Sequence, residues 1–328
     1  MKLAALKEHW PRHTPVVSLD AADVGRLLLP LLPGYTVASV DPISGGLINT
    51  NLKVRLSGRP GALLLRVYQR GIAPAEKEMA VCRLLAGRVP VPRFLWFCAE
   101  GPLIGHPYAV LDWIEGFELQ ATSAALAADR LAALGRAIGR MLAVVHSFTF
   151  DKFGFLDAAL NVTEPINLDK KGLIAYLDQT FIKGPGGARL GAELSSALMH
   201  FAAREGDMLD EWLQQPCLVH GDFNGSNILL PPGGDRTIAA IIDWEYALSA
   251  TPAFDFGNLL RPPLDANPEF AAALAEGYCE AGGTLPAQWE RIAQLADMYA
   301  FADILSRPAT NAVVVADAKA VITKLIAS

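Results

Sequence analysis

Residues 218–230 of this 328-residue chain read Leu218-Val219-His220-Gly221-Asp222-Phe223-Asn224-Gly225-Ser226-Asn227-Ile228-Leu229-Leu230. A His-x-Asp-x-x-x-x-Asn pattern is framed by apolar residues that can anchor a rigid loop. Sixteen residues beyond Asn227, an apolar run ends in Asp243, followed by Trp244 and Glu245. Asp222 is the candidate to accept a proton from an attacking hydroxyl. Asn227 and Asp243 offer the oxygen ligands that a hard cation such as Mg²⁺ requires. Together they form a kit for phosphoryl transfer from ATP, a reaction carried by positioning and charge stabilisation. Each piece alone has a plainer use: Asp and Asn make turns, and an Asp can cap a helix. Order, spacing and apolar framing favour the chemical reading for the set. His220, taken alone, reads as a structural hydrogen-bonding histidine.

The elements that must position these residues fall into two regions. Asp20 can N-cap a short helix over Ala21–Leu32. Tyr35–Ile43, Asn51–Leu56 and Ala62–Tyr68 have strand character, the last two joined by a turn-rich linker, Ser57-Gly58-Arg59-Pro60-Gly61. Pro74–Ala86 has helical composition, and Arg93–Ala99 and Pro107–Asp112 read as two more strands. This order predicts an antiparallel five-stranded sheet with one inserted helix. Beyond Glu115-Gly116 helical patterns dominate. Leu131, Leu134, Ile138, Met141 and Val145 repeat on one face, with Arg136 and Arg140 on the other. Further helices are predicted at Glu193–Trp212, Pro268–Cys279, Pro286–Leu305 and Val313–Ile326, and short strands at Ile228–Leu230 and Ile238–Asp243. Residues 150–190 carry turn signals and no clear assignment. The expected fold is α+β and bilobal, with an N-terminal lobe at 1–115 and a mainly helical lobe at 116–328.

The chain resembles the aminoglycoside phosphotransferase and choline kinase superfamily, small-molecule kinases with a protein-kinase-like fold. His220-Gly221-Asp222 through Asn227 carries the likeness, with Gly where protein kinases have Arg. Asp243-Trp244-Glu245 and Pro252-x-x-Asp255 carry it further, and it extends from about Thr36 to Arg261. The resemblance implies Asp222 as catalytic base, Asn227 and Asp243 as Mg²⁺ ligands, and ATP (or GTP) as donor. Asp255-Phe256-Gly257 spells the kinase metal motif, but it lies in a helix start, after Asp243 has ended a strand. Asp255 is therefore expected to cap a helix or brace the loop, alongside His220. In the N-terminal region, Ile43 to Asn51 is a glycine turn between strands. Gly45 and Gly46 let backbone amides approach phosphates, and Ser44, Asn49 and Thr50 add donors. Arg66 stands where kinases place Lys, and can bind phosphate oxygens bidentately. Glu78 is the candidate partner for Arg66, with Glu76 a rival. Asp112 and Trp113 resemble the adenine-binding hinge between lobes.

Composition sets the outer bounds. Hydrophobic residues make up 52% and charged residues 19%, with a net charge of −6, which excludes a disordered chain and argues against a general nucleic-acid binder. Apolar stretches are too short to span a bilayer, and a cytoplasmic location is expected. Cys82, Cys98, Cys217 and Cys279 form no CxxC pair, so neither a disulfide framework nor a zinc site is expected. Residues 1–115 carry 13 Lys+Arg and 9 Asp+Glu, whereas residues 116–328 carry 15 and 25. An acidic second lobe suits a cationic hydroxyl acceptor such as an aminoglycoside or amino alcohol, though acidic surface equally serves solubility. Glu245 is the first candidate to contact it, followed by Asp265, Glu269, Glu276 and Glu280. Homoserine, macrolide and sugar acceptors stay open, as does the oligomeric state. The competing readings are a non-catalytic nucleotide-binding pseudokinase and a metal-dependent hydrolase. All three key polar residues are present, against the former. No HExxH or paired-His motif occurs, against the latter.

Overall fold

The computed structural model describes residues 12, 14–43, 48–233, 238–308 and 310–327. Asp20 caps α1 (Ala21–Leu28) in a reciprocal capping box with Asp23. Strands β1 (Val37–Pro42), β2 (Thr50–Leu56), β3 (Leu63–Val67), β4 (Phe94–Cys98) and β5 (Tyr108–Asp112) form one sheet in the order β1-β2-β3-β5-β4. Every pairing in it is antiparallel. The helix α2 (Ile72–Leu85) is inserted between β3 and β4, so the expected sheet with one helix is the observed one.

Alternation along the strands sorts side chains between two faces. Leu52, Val54, Leu63, Leu65, Tyr108 and Val110 pack against Val24, Leu27 and Leu28 of α1. Ala109 and Leu111 face the other way, with Tyr68 and Ala75 at the start of α2. Arg66, between Leu65 and Val67, shares this second side with α2, which is why its cation can reach a helix carboxylate.

The rest of the chain is mostly helical. Leu131, Leu134, Ile138, Leu142 and Val145 of the helix Ala128–His146 enter the main core. The buried position there is Leu142; Met141 is only partly buried. This helix crosses Pro268–Glu280 closely through small residues. A Cβ at Gly139 would lie 2.1 Å from the Leu274 carbonyl oxygen, and one at Gly277 2.0 Å from that of Arg136. Three predicted helices need revision. Glu193–Trp212 is an α-helix to Glu205 and then a 3₁₀ segment, Gly206–Trp212. Pro286–Leu305 is two helices, Trp289–Ala296 and Met298–Ser306, meeting at Asp297, whose side chain is bonded to Arg261. The N-terminal helix ends at Leu28 rather than Leu32. The unassigned residues 150–190 hold strands Gly154–Leu156 and Val162–Pro165 and the helix Lys170–Leu177. No helix among the described residues is long and apolar enough to cross a membrane.

Candidate active site

The loop from His220 to Asn227 leaves the strand Cys217–Val219 and enters the strand Ile228–Leu230. That strand pairs antiparallel with Ala240–Ile241, Ile228 opposite Ile241, and the Ile242 N–H donates to the Asn227 carbonyl at 2.9 Å. Two short apolar strands thus bring Asn227 and Asp243 together across sixteen residues of sequence. Only Ala240–Ile241 is regular strand; the predicted run to Asp243 stops because Asp243 turns into left-handed backbone, φ 72 and ψ 48. Asp tolerates that region better than most residues, and such conformations concentrate at functional sites.

Asp222 is the hub of the loop. Asn224 Nδ2 donates to Asp222 Oδ1 at 3.0 Å, and Asn227 Nδ2 donates to Asp222 Oδ2 at 3.2 Å and to its carbonyl at 2.9 Å. These bonds fix the Asn227 amide by its nitrogen, leaving its oxygen as the atom able to ligate a cation. Asn224 was not singled out by its sequence context, yet it also accepts from Ser226 N at 3.0 Å, an Asx turn for which Asn is the usual residue. A narrow recess of about 10 Å³, lined by Gln120, Asn224, Gly225, Asn258, Arg261 and Leu264, adjoins this loop.

The loop is held from behind by buried groups. Asp255, in the first turn of Ala253–Leu259, accepts from His220 N at 2.8 Å and from Gly221 N at 3.0 Å. His146 Nε2 lies 3.3 Å from the same carboxylate, and its Nδ1 3.1 Å from Tyr278 Oη. With Nε2–H donating to Asp255, Nδ1 accepts from the tyrosine hydroxyl. His220 is placed the same way: Nε2 is 2.9 Å from the Ile242 carbonyl, and Nδ1 accepts from Asp222 N at 3.2 Å. Its ring packs on the fully buried Trp244, centroids 4.4 Å apart. Both nitrogens are thus committed to backbone on either side of the loop, leaving His220 no free acid or base function.

On the sheet side, Arg66 Nη1 donates to Glu78 Oε1 at 3.0 Å, and Tyr68 Oη donates to Glu78 Oε2 at 2.8 Å. Glu78, not Glu76, is therefore the partner. Arg66 Nη2 also donates to Asp243 Oδ1, joining strand β3 to the strand pair that leads into Asp243. Burial alone would weaken the Arg66 cation, but Glu78 and Asp243 outweigh it and hold its pKa well above the ordinary value. Burial and the neighbouring Asp243 raise Glu245, which is itself buried and accepts from Asn49 Nδ2 at 3.0 Å.

Several candidate residues sit in other company than the sequence suggested. Ser44, Gly45 and Gly46 lie outside the described residues. Asn49 and Thr50 are both buried, Asn49 bonded to Glu245 and Thr50 Oγ1 to Gln69 Oε1 at 2.9 Å, so their side chains already have protein partners. Glu245, expected at an acceptor pocket, is an inward-facing link between sheet and catalytic strands. At the hinge, the Asp112 N–H donates to the Arg93 carbonyl and the Trp113 N–H to that of Ala62. Those two amides are engaged, and Asp112 also pairs with Arg93 at 2.6 Å. The acidic residues proposed for the acceptor do not gather at Asp222. Glu280 pairs with Arg136 and Arg140, Glu276 with Arg136, and Asp265 with Lys324 at 2.6 Å.

The site gathers the Asp222 and Asp243 carboxylates, the Asn227 amide and the Arg66 cation in one cluster. Among the described residues, no three His, Cys, Asp or Glu side chains form a metal cage. Asn227 and Asp243 offer an all-oxygen pair of the kind that holds Mg²⁺ jointly with phosphates and water.

Residues 39–295 match the phosphotransferase enzyme family. A ternary complex of a thermostable mutant of aminoglycoside phosphotransferase APH(4)-Ia with ADP and hygromycin B superposes with TM-score 0.64 at 20% identity, covering 93% of this chain and 98% of that one. The GDP complex of aminoglycoside 2'-phosphotransferase-IIIa superposes with TM-score 0.68 at 15% identity, covering 94% and 99%. Among curated proteins, the chain is 26% identical over 215 residues to acyl-CoA dehydrogenase family member 11 of Rattus norvegicus, covering 61% of this chain and 24% of that protein. It thus spans about a quarter of the length of such relatives.

Proposed function

From the premise that the chain belongs to the phosphotransferase enzyme family and is a small-molecule kinase of protein-kinase-like fold, we propose that it transfers the γ-phosphate of ATP to a hydroxyl of a small molecule, with Asp222 as base. The observation that carries this is the convergence of Asp222, Asn227, Asp243 and the Arg66–Glu78 pair from four separate segments. Domain boundaries are proposed at 1–115 for the nucleotide lobe and 116–328 for the catalytic lobe.

The nucleotide lies between these lobes, its phosphates toward Arg66. The Arg66 Nε–H is buried without a partner among the described residues, which leaves a cationic donor for a phosphate oxygen. The Asn227 amide oxygen and the Asp243 carboxylate are the groups that would hold Mg²⁺, which when bound offsets charge on the phosphate oxygens. Asp222 accepts the hydroxyl proton and aims the attacking oxygen. Asn224 and Asn227 hold its carboxylate, so the base enters the reaction already oriented. Asp255 and His146 keep the loop's backbone fixed beneath it. The phosphate-facing groups named here are the same for ATP and GTP. The acidic lobe's charge is dispersed in surface pairs rather than gathered at Asp222, so an acceptor cation is not what this reading rests on.

Asp222→Asn tests it. The variant keeps the shape and one of the two side-chain bonds but cannot take a proton, so ADP release stimulated by any acceptor should fall by about 10²–10⁴-fold. Mg·AMP-PNP affinity by calorimetry should stay near that of the parent. Undiminished turnover would remove Asp222 from the mechanism. A screen across aminoglycosides, amino alcohols, homoserine and sugars identifies the acceptor by the same readout.

A further inference from the structure

The segment preceding α1 makes a dense set of polar contacts with the start of β2, the strand that follows the glycine turn in sequence. Arg12 Nη1 donates to the Asn49 carbonyl and Nη2 to the Ile48 carbonyl, both at 2.9 Å, and Nη2 also reaches Gln69 Oε1 at 3.3 Å. Thr14 Oγ1 donates to the same Ile48 carbonyl at 2.5 Å. Gln69 returns a bond from Nε2 to the Pro15 carbonyl at 2.8 Å, and Thr50 Oγ1 accepts from Val17 N at 3.0 Å. A guanidinium has the planar fork that bridges two successive carbonyls, which a lysine ammonium cannot span with fixed geometry.

The contacts converge on Asn49. Its backbone carbonyl is held by Arg12, its Oδ1 accepts from Gln69 N at 3.4 Å, and its Nδ2 donates to Glu245 Oε2 at 3.0 Å. Asn49 and Glu245 are 196 residues apart and both buried, and Glu245 is two residues from Asp243. A path of direct bonds therefore runs from Arg12 through Asn49 to the turn carrying Asp243.

We propose that Arg12, Thr14, Pro15 and Val17 clamp the start of β2, and that Arg12 is a positioning residue for phosphoryl transfer, acting through Asn49 and Glu245 on the placement of Asp243. The catalytic consequence rests on the phosphotransferase reading above; the mechanical link does not. Arg12→Ala should weaken Mg·AMP-PNP binding by about tenfold, the loss expected for a charged hydrogen-bonding group acting at one remove. Arg12→Lys should fall between Arg12→Ala and the parent. Hydrogen exchange in Arg12→Ala should quicken at amides 48–52 and 244–246 and not in the helix Pro268–Glu280. Asn49→Ala should show a similar loss, and the double variant Arg12→Ala/Asn49→Ala should be no worse than Asn49→Ala alone, because the two act in series. A merely structural anchor would lower Tm while leaving Mg·AMP-PNP affinity at the parent value, or would give additive losses; either result overturns the proposal. If the parent chain does not bind Mg·AMP-PNP, the phosphotransferase reading fails, and unchanged exchange at 244–246 in Arg12→Ala would then separately overturn the clamp.

Discussion

Arg66 and Arg261 are both buried arginines that engage carboxylates, and they differ in how their charge is met. Arg261 binds Asp297 with two parallel bonds, Nε to Oδ2 at 2.8 Å and Nη2 to Oδ1 at 2.6 Å. Asn258 adds a third to the same carboxylate at 3.1 Å, and the guanidinium lies over the Phe301 ring. Here one cation is met chiefly by one anion, with the charge of Asp222 a lesser influence. Arg66 instead serves two carboxylates, Glu78 and Asp243, with Glu245 nearby and itself raised by Asp243. The balanced pair joins one helix end to another and contributes shape. The unbalanced cluster carries a surplus of negative charge in a poorly hydrated place, a cost that is retained where a cation or a reacting group is to be received.

The contrast is sharpest at the two aspartates. Asp243→Ala should lower kcat/KM by about a thousandfold, or ~4 kcal/mol of transition-state stabilisation, while the thermal midpoint stays close to the parent's. Loss of folding without loss of turnover per folded molecule would erase the distinction drawn here. Asp297→Ala should do the reverse. It strands the Arg261 cation and should cost about 3 kcal/mol of stability in denaturant titration, with kcat/KM of the folded fraction falling far less than in Asp243→Ala. Asp297→Asn, which keeps the bond from Asn258 within reach, should be milder.

A smaller effect separates the clusters by pH. Burial pushes the Glu78 carboxyl up to about 7, with Asp243 and Glu245 adding to the shift and Arg66 and Tyr68 opposing it. Between its ordinary value of 4.5 and about 7, the folded protein keeps this proton while the unfolded chain has released it. Stability therefore falls as pH rises through that window. Glu78→Gln should flatten this slope, which amounts to on the order of 3 kcal/mol across the window in paired denaturation curves. A parallel slope in the variant would show that Glu78 titrates near its ordinary value.

Much of this architecture could be read from sequence where chemistry is local. Strand-like runs at 51–56, 62–68 and 107–112 predict strands whose faces the structure fills with Leu52, Val54, Leu65 and Val110. The spacing from Asp222 to Asn227 is short enough for one loop to fix both. What escaped were pairings between distant segments. Nothing near Asn49 indicates that its amide meets Glu245, and nothing near Glu280 indicates Arg136 and Arg140 across a helix crossing. The helical pattern over Pro286–Leu305 hides the break at Asp297, because Asp297 turns inward to Arg261 for a tertiary reason that periodicity does not record. Arg12 precedes every predicted element, and its role depends wholly on where β2 begins.

Gly221 carries a last consequence. It sits at φ +76, and a Cβ there would lie 2.5 Å from the Tyr246 carbonyl oxygen and 2.8 Å from Leu248. In protein kinases the corresponding position holds arginine. Here backbone occupies that volume, and the conformation itself disfavours any side chain. The catalytic loop thus has no place for a basic residue next to Asp222 through which a phosphorylated segment could report. The loop that holds Asp222 is therefore sterically closed to any side chain at position 221.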